Sequence, residues 1–380
     1  MPSPSVIFGG PSWEHDVSIL TGLQALRVLA RSGAEPIGLY WSEQNGWFRV
    51  PADLEASAFL DGAPRDSRPL SLEVGGAEPG FYESRSLGRR SRVELSAAVI
   101  CCHGGPGEDG RLQAMLDLAG IVYTGPGSAC AALTMDKLAF GGVVEAAKLP
   151  ALPRISWSAS SPEPPFAGPY IIKPRFGGSS IGIEVVQDID TARDLVKASS
   201  YLSRGAVLEQ YRPGLEDLYI AIRTYPEVQL SLIERPRPRD ENASDNQIYG
   251  YQQKYLEQQG AESKVSEIPA RLPEETGKTL RVMADEISRL TRLTGAARLD
   301  FLWDGSQVWV NELNSIPGAL AFRLWAESGV KHEQLLSDML AEATALSSSP
   351  LRDIDPPDRF ASDRKAQTLQ SAGKIAAKLT

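Results

Sequence analysis

Two neighbouring segments, ARLDFLW (297–303) and QVWVNELN (307–314), constrain the fold more than any other stretch. Both alternate in the manner of strands, and only Asp304-Gly305-Ser306 separates them, so they read as a hairpin. Side chains two apart share a face. Arg298 therefore sits with Asp300 and Glu312 with Asn314, while Leu299, Phe301, Trp303, Trp309 and Leu313 supply apolar surface for the core side. An odd loop over 304–306 sets position 310 opposite 300 and 312 opposite 298, and all four polar groups converge. A two-residue Asp-Gly turn sends them to opposite faces. With convergence, Asp300, Glu312 and the Asn314 oxygen form a hard, oxygen-only site with too few ligands to enclose a cation. Such a site suits Mg²⁺, which keeps waters and takes substrate phosphates as further ligands. The competing reading is a polar hairpin face turned to solvent.

The chain that carries this hairpin has 380 residues, 42% of them hydrophobic, enough for two or three packed units. Its net charge of −9 argues against nucleic acid as a partner and leaves room for a small anion in a local basic pocket. Three cysteines, two of them adjacent at Cys101 and Cys102, form neither a disulfide framework nor a CxxC site, which fits a reducing cytoplasm. No basic-then-apolar leader and no run near the roughly 18 apolar residues of a membrane span is visible, so a soluble protein without a membrane partner is expected.

Along the chain, SVIF reads as a buried strand, followed by Gly9-Gly10 and a helix with Ile19, Leu23, Leu26 and Ala30 on one face. PIGLYWS (36–42) is the next strand. Residues 45–92 dissolve into Pro, Gly, Ser and charge, including RRSR at 89–92, and read as a surface insertion with a solvated basic loop. AAVICC as strand, HGGPGEDG as loop, a helix through Leu112, Met115, Leu116 and Ala119, and IVYTG as strand imply a parallel sheet. A Pro-rich connector over 149–169 leads into a β-richer half with strands in YIIKP, IGIEVV, AVLEQY, LYIAIRTY and VQLSLIER. Helices are expected near 274–293 and 333–346, and a loosely held tail beyond 350.

GGSSIG (177–182) lies between two of these strands, where a glycine-rich turn can close over a polyphosphate with Lys173 just upstream. A plain structural hairpin is the alternative. The same residues match G-x-S-x-G, with Asp300 and His332 following in triad order, so a serine hydrolase is a competing reading. A nucleophile elbow needs a helix after the serine, and here a strand follows. No Walker pattern is present.

Eight blocks in order, VIFGGPSWEHDVS, HGGPGEDGRLQ, YTGPGSACAALTMDKL, IIKPRFGGSSIG, VLEQYRPGLE, YQQKYL, ARLDFLW and NELNSIPG, resemble the ATP-grasp enzymes and, among them, the D-alanine:D-alanine ligases. The resemblance spans about residues 5–320. It implies an α/β (α+β) ATP-grasp fold: an N-terminal Rossmann-like domain over 1–125, a central β-rich subdomain over 126–212, a C-terminal ATP-grasp subdomain over 213–348, and a tail over 349–380. Carried over by position, Lys137, Lys173 and Lys254 would hold ATP phosphates under a loop containing Gly178 and Ser180. Glu209 and the Gln210 backbone would receive adenine, Glu216 the ribose, and Asp300, Glu312 and Asn314 Mg²⁺ or Mn²⁺. Glu14 would anchor the first substrate's ammonium, linked to Ser179 and Tyr255, with His103 near the substrates. Arg298 and the Gly318 N–H would meet the oxyanion. The implied reaction forms a dipeptide through an acyl phosphate, first of all D-alanyl-D-alanine, in a cytoplasmic homodimer acting on small amino acids.

Each role has a plainer competitor. Glu14 could cap the first helix, His103 could be a satisfied loop histidine, and Lys137 could be a snorkelling lysine in an apolar helix. The main departure from the family pattern is Arg323, five residues after Gly318, where ligases that join two D-alanines commonly carry a serine for the second substrate's carboxylate; Leu324 follows in the same substrate region. Arg323 would bind that carboxylate, or select a different nucleophile, or point outward from a helix starting near Ala319. A specialised natural-product dipeptide ligase is therefore the main alternative function, with a hydrolase and a non-catalytic nucleotide-binding scaffold as more distant ones.

Overall fold

Strand β1 (Ser3–Gly9) carries the expected SVIF and is buried over most of its length. Its neighbours, β2 (Ile37–Trp41) and β7 (Leu95–Ile100), run parallel to it, and α1 (His15–Arg31) packs its apolar stripe onto β1. The computed structural model describes residues 3–84, 89–236 and 266–347.

The region 45–92 is more ordered than its composition suggests. Strands β3 (Trp47–Val50), β4 (Arg68–Glu73), β5 (Gly80–Ser84) and β6 (Arg90–Arg92) extend the sheet antiparallel from β2, giving the order β6-β5-β4-β3-β2-β1-β7. Trp47 stacks on Trp41 and meets Phe81 edge-on, so cross-strand aromatic contacts hold a meander that lacks a clean hydrophobic alternation. The basic run at 89–92 is its exposed edge strand, with Arg90 paired to Glu73. IVYTG, in contrast, makes only a single parallel bridge, Ala98 to Tyr123, and is not a full strand. The HGGPGEDG loop contains a short helix, α2 (Gly105–Glu108), before α3 (Arg111–Leu118).

The apolar helix around ALTMDKLAF breaks in two. Asp136 adopts an extended conformation after α4 (Ser128–Met135) and caps α5 (Lys137–Ala146) by accepting from the Leu138 and Ala139 N–H groups. The Pro-rich connector contributes β8 (Arg154–Trp157) to a second, antiparallel sheet in the order β10-β9-β11-β8, with β9 (Tyr170–Pro174), β10 (Glu184–Val186) and β11 (Ala206–Gln210). Helix α6 (Ile189–Ala198) follows β10 and packs on β9 and β10.

The third sheet, β13-β12-β14-β15, is also antiparallel and consists of β12 (Glu216–Arg223), β13 (Gln229–Glu234), β14 (Ala296–Trp303) and β15 (Val308–Asn314). Helix α7 (Glu274–Thr291) covers one face through Leu280, Met283, Ala284 and Ile287. After β15 come α8 (Phe322–Glu327) and α9 (His332–Ser347).

The cores do not follow the linear boundaries at 126 and 213. Cys130, Phe140 and Val144 of α4 and α5 share the core of the third sheet, whereas Ile316, Phe322, Trp325 and Leu335 join that of the N-terminal sheet. The chain thereby crosses between layers more than once.

Candidate active site

The β14–β15 hairpin closes over four residues, 304–307, with Trp303 opposite Val308 and Phe301 opposite Val310. Such an even loop alone would put Asp300 and Glu312 on opposite faces, as the two-residue turn would. A β-bulge at Asn311 restores the face by inserting one residue between the Val310 and Glu312 pairings. Asp300 then lies opposite Glu312, and Arg298 opposite Asn314. Convergence is therefore correct, but its register differs from the expected 298 to 312 pairing.

On this face Arg298 donates to both Asp300 oxygens, Nε to Oδ1 at 2.6 Å and Nη2 to Oδ2 at 2.7 Å. Its guanidinium lies 4.5 Å over the Tyr219 ring, which comes from the adjoining β12. The Lys137 ammonium lies 3.6 Å from Glu312 Oε2. Each carboxylate thus faces a protein cation. Among the described residues, no group of three or more His, Cys, Asp or Glu side chains could hold a metal by itself. The buried Asn314 amide nitrogen has no hydrogen-bond partner there, and a half-turn of the amide would present its oxygen instead. Two carboxylates and one amide fit a divalent cation that brings its own further oxygens.

Lys137 opens α5, so its charge adds to the positive end of a ten-residue helix. It is buried and donates to the Gly177 carbonyl of the glycine loop, which rules out a snorkelling surface lysine. Lys173 on β9 is also buried and pairs with Glu209 Oε2 at 2.8 Å; burial lowers its pKa. Lys173 thus holds one Glu209 oxygen, while Oε1 is buried without a hydrogen-bond partner. Arg154 faces Oε1 at 3.5 Å.

Glu14 stands at the N-cap of α1 without capping it. It accepts a hydrogen bond from the Ser179 hydroxyl of the glycine loop. Two glycines make room for it. A Cβ on Gly104, whose φ is +64°, would lie 2.3 Å from Glu14 Oε2, and one on Gly178 would lie 3.1 Å from both oxygens. Ser179 and Ser180 take left-handed φ values of 53° and 58°, an uncommon conformation for residues with a side chain.

His103 has both ring nitrogens engaged: Nδ1 at 3.0 Å from the Ile316 carbonyl and Nε2 at 2.9 Å from Thr21 Oγ1, which itself accepts from the Ala319 N–H. Burial, with Arg298 nearby, lowers its pKa to about 4, so it is neutral, and this network assigns the proton to Nδ1. Glu108, which the sequence did not single out, accepts from the Gly104 and Ile316 N–H groups and ties the same two loops together. Burial, reinforced by Glu14, raises its pKa to about 8. Only its place in GGPGEDG, at the end of a glycine-rich loop, could have flagged it.

Past Gly318 no helix starts. Ala319, Leu320 and Ala321 form a left-handed turn with φ between 49° and 55°, and α8 begins only at Phe322. The reversal turns Arg323 onto β13, where it pairs with the buried Glu234, a residue the sequence did not single out; Nη2 also approaches Ser266 Oγ at 3.3 Å. Arg323 is exposed, as an outward arginine would be, but its guanidinium is held by Glu234 and no helix begins at Ala319.

One cleft is lined by Glu14, His103, Lys137, Gly178 and Ser179 together with Arg298, Glu312, Asn314, Gly318, Arg323 and Leu324, and by Glu108, Tyr219 and Glu234. Family models match both halves of this arrangement. Residues 4–126 match the D-ala D-ala ligase N-terminus and residues 160–341 the D-ala D-ala ligase C-terminus. The chain belongs to the D-alanine–D-alanine ligase family. A D-alanine–D-alanine ligase of Prochlorococcus marinus (strain MIT 9303) is 30% identical over 361 residues, covering 89% of this chain and 97% of that one. In fold, the ligase is similar to the D-alanine-D-alanine ligase of Coxiella burnetii, with a TM-score of 0.72 at 19% identity over 99% and 100% of the two chains. It is also similar to the VanG D-Ala:D-Ser ligase of Enterococcus faecalis, with a TM-score of 0.71 at 22% identity over 90% and 98%. The α/β architecture is thus the ATP-grasp fold, and the chain is an ATP-dependent carboxylate–amine ligase.

Other predicted residues of the ligase sit around the cleft rather than in its lining. Asp300 lies beneath Arg298, and Gln210 ends β11 with its side-chain nitrogen 3.3 Å from the Ala167 carbonyl. Glu216 accepts a bidentate pair from Arg235. Lys254, Tyr255 and the tail beyond 347 lie outside the described residues. The hydrolase constellation does not assemble: Ser179 bonds Glu14, Asp300 is held by Arg298, and His332 Nε2 lies 3.2 Å from the Phe322 carbonyl.

Proposed function

We propose that this ligase condenses two D-alanine molecules into D-alanyl-D-alanine, with ATP converted to ADP and phosphate. One observation carries the reading: the Glu14–Ser179 pair opens into the same cleft as Lys137, Arg298, Glu312 and Asn314. An ammonium anchor and a phosphoryl-transfer end lie side by side, as a carboxylate–amine ligase requires. ATP supplies the phosphoryl group that makes the first carboxylate an acyl phosphate, and Mg²⁺ or Mn²⁺ neutralises charge on that group.

Asp300, Glu312 and Asn314 would hold the cation; Lys137, Lys173, Lys254, Gly178 and Ser180 the phosphates; the Glu209 and Gln210 backbone the adenine; and Glu216 the ribose, in place of Arg235. Lys137 and Arg298 then exchange their carboxylate partners for substrate anions, so no charge is left unpaired in the closed site. Glu14, with Ser179 and Tyr255, holds the first ammonium, and Arg298 with the Gly318 N–H meets the oxyanion. His103, neutral and fixed at both nitrogens, shapes the cleft wall. Three buried free cysteines, a net charge of −9, and the absence of a membrane-crossing helix among the described residues support a cytoplasmic enzyme acting on small amino acids. We further infer a homodimer, from family resemblance.

The Arg323–Glu234 pair favours a second reading, a specialised dipeptide ligase with another acceptor. Both signs of charge lining the cleft at Arg323 and Glu234 support an acceptor larger than one with a methyl side chain. ADP release measured over D- and L-amino acids, singly and in pairs, decides between them. D-alanine alone should give turnover; silence with D-alanine and turnover with another pair would establish the second reading, and ester cleavage without ATP would return the hydrolase. In the same assay, Arg323→Ser should raise KM for the second substrate about 10-fold, the scale of one hydrogen bond to a charged group, with KM for the first unchanged. An unchanged acceptor KM removes Arg323 from carboxylate recognition.

A further inference from the structure

The face that brings Glu312 and Asn314 opposite Asp300 and Arg298 exists only because of the bulge at Asn311, and bulges leave a backbone group outside the ladder. Here the Asn311 carbonyl accepts from Arg154 Nη2 at 3.2 Å, across 157 residues of chain. The same guanidinium donates through Nη1 to the Lys137 carbonyl at 3.2 Å, and its Nε lies 3.5 Å from Glu209 Oε1. Arg154 is 7% exposed, and the Glu209 side chain opposite it 2%.

The chain around Arg154 is shaped to deliver it there. The segment just before β8 runs along the outer edge of β15, where the Val310 N–H donates to the Pro150 carbonyl at 2.8 Å and Ala151 bridges Val310. On the other side, Gly141 of α5 clears the way: a Cβ there would lie 2.7 Å from Arg154 Cδ. A planar guanidinium can reach two carbonyls and a carboxylate in fixed directions at once, which a lysine ammonium on a flexible stem cannot reproduce.

We propose that Arg154 is a positioning residue for the metal end of the site, locking the Asn311 bulge so that Glu312 and Asn314 face Asp300, and tying that bulge to the backbone of Lys137. The inference rests on the reading that Glu312 and Asn314 hold the divalent cation. It extends that reading by giving the cation site a determinant on a different sheet, one that touches neither metal nor substrate.

The test is a titration of the full-length protein with Mn²⁺ in the presence of ADP, following free Mn²⁺ by electron paramagnetic resonance, for wild type, Glu312→Gln, Arg154→Met, Arg154→Lys and Gly141→Ala. Arg154→Met should weaken Mn²⁺ binding about 10- to 100-fold, the range for residues that orient metal ligands. Arg154→Lys keeps a cation beside Glu209 and guards against failure to fold. It should still bind Mn²⁺ several-fold more weakly, and Gly141→Ala should follow it. If Glu312→Gln binds as wild type does, the cation is not on this hairpin, and the reading and the inference fall together. If Glu312→Gln is weakened while the folded Arg154 and Gly141 variants match wild type, the inference alone is overturned.

Discussion

At one end of the cleft, Arg298 and Asp300, and Lys137 and Glu312, are cations and anions that face one another with little exposure. At the other end, Arg323 is 53% exposed and pairs with Glu234 among the described residues. The first end is bound into the sheets from several directions, with the Asn311 bulge, the α5 N-terminus and the glycine loop all converging on it. The second follows a short left-handed turn and carries Arg323 on α8, whose Phe322, Leu324 and Trp325 are buried while the arginine itself faces solvent. On the proposed reading, the first end holds its charged groups in place before substrate arrives, and the second, more exposed to solvent, is where acceptors are distinguished.

The largest effect expected from breaking this contrast is at the fixed end. Glu312→Gln should lower kcat about 10²- to 10³-fold, the scale of losing one preorganised electrostatic group, while circular dichroism stays native. A loss no greater than that of Arg323→Ser would mean that the two ends do not differ as described. Next, Gly104→Ala places a methyl where the Glu14 carboxylate sits and asks a non-glycine residue to hold φ near +64°. Misplacing the first-substrate anchor should reduce kcat/KM for that substrate about 100-fold and leave nucleotide binding by calorimetry unchanged. Equal loss in nucleotide affinity would show that Glu14 and the phosphate end are one unit.

The smallest effect sharpens the comparison through pH. Glu108 ties the Gly104 loop to Ile316, and its pKa rises from 4.5 to about 8 because burial and Glu14 favour the protonated form. A raised carboxyl contributes stability that is complete below the unfolded value and is lost as pH rises through the folded one. Thermal melts should therefore show Glu108→Gln, which cannot ionise, gaining on wild type between about pH 5 and about pH 8.5. A constant difference across that window would mean that Glu108 is ionised in the folded protein throughout.

Much of this was legible in the chain. Alternation in ARLDFLW and QVWVNELN located β14 and β15, the helical stripe of Ile19, Leu23 and Leu26 located α1, and the GGSSIG stretch located the loop that meets Lys137 and Glu14. The meander over 45–92 was not, because its strands are short, interrupted by Pro and Gly, and held by contacts such as Trp41 on Trp47 rather than by an amphipathic period. The break at Asp136 was visible only in part: a capping aspartate looks the same inside a helix as at the start of one.

What the sequence determined by itself is which residues alternate, which turns must bend, and which charges the chain can offer, since strand and helix periods are local properties of the backbone. Tertiary structure alone decided that Asp300 faces Glu312. An even loop and a bulge cancel in register, and the bulge is held by Arg154 from 157 residues away. It likewise decided that Glu108 binds Ile316 across 208 residues and that Arg323 turns back onto Glu234 across 89. Each of these depends on which distant donor or acceptor the packed layers bring within about 3 Å, a distance over which hydrogen bonds act and sequence periodicity carries no information.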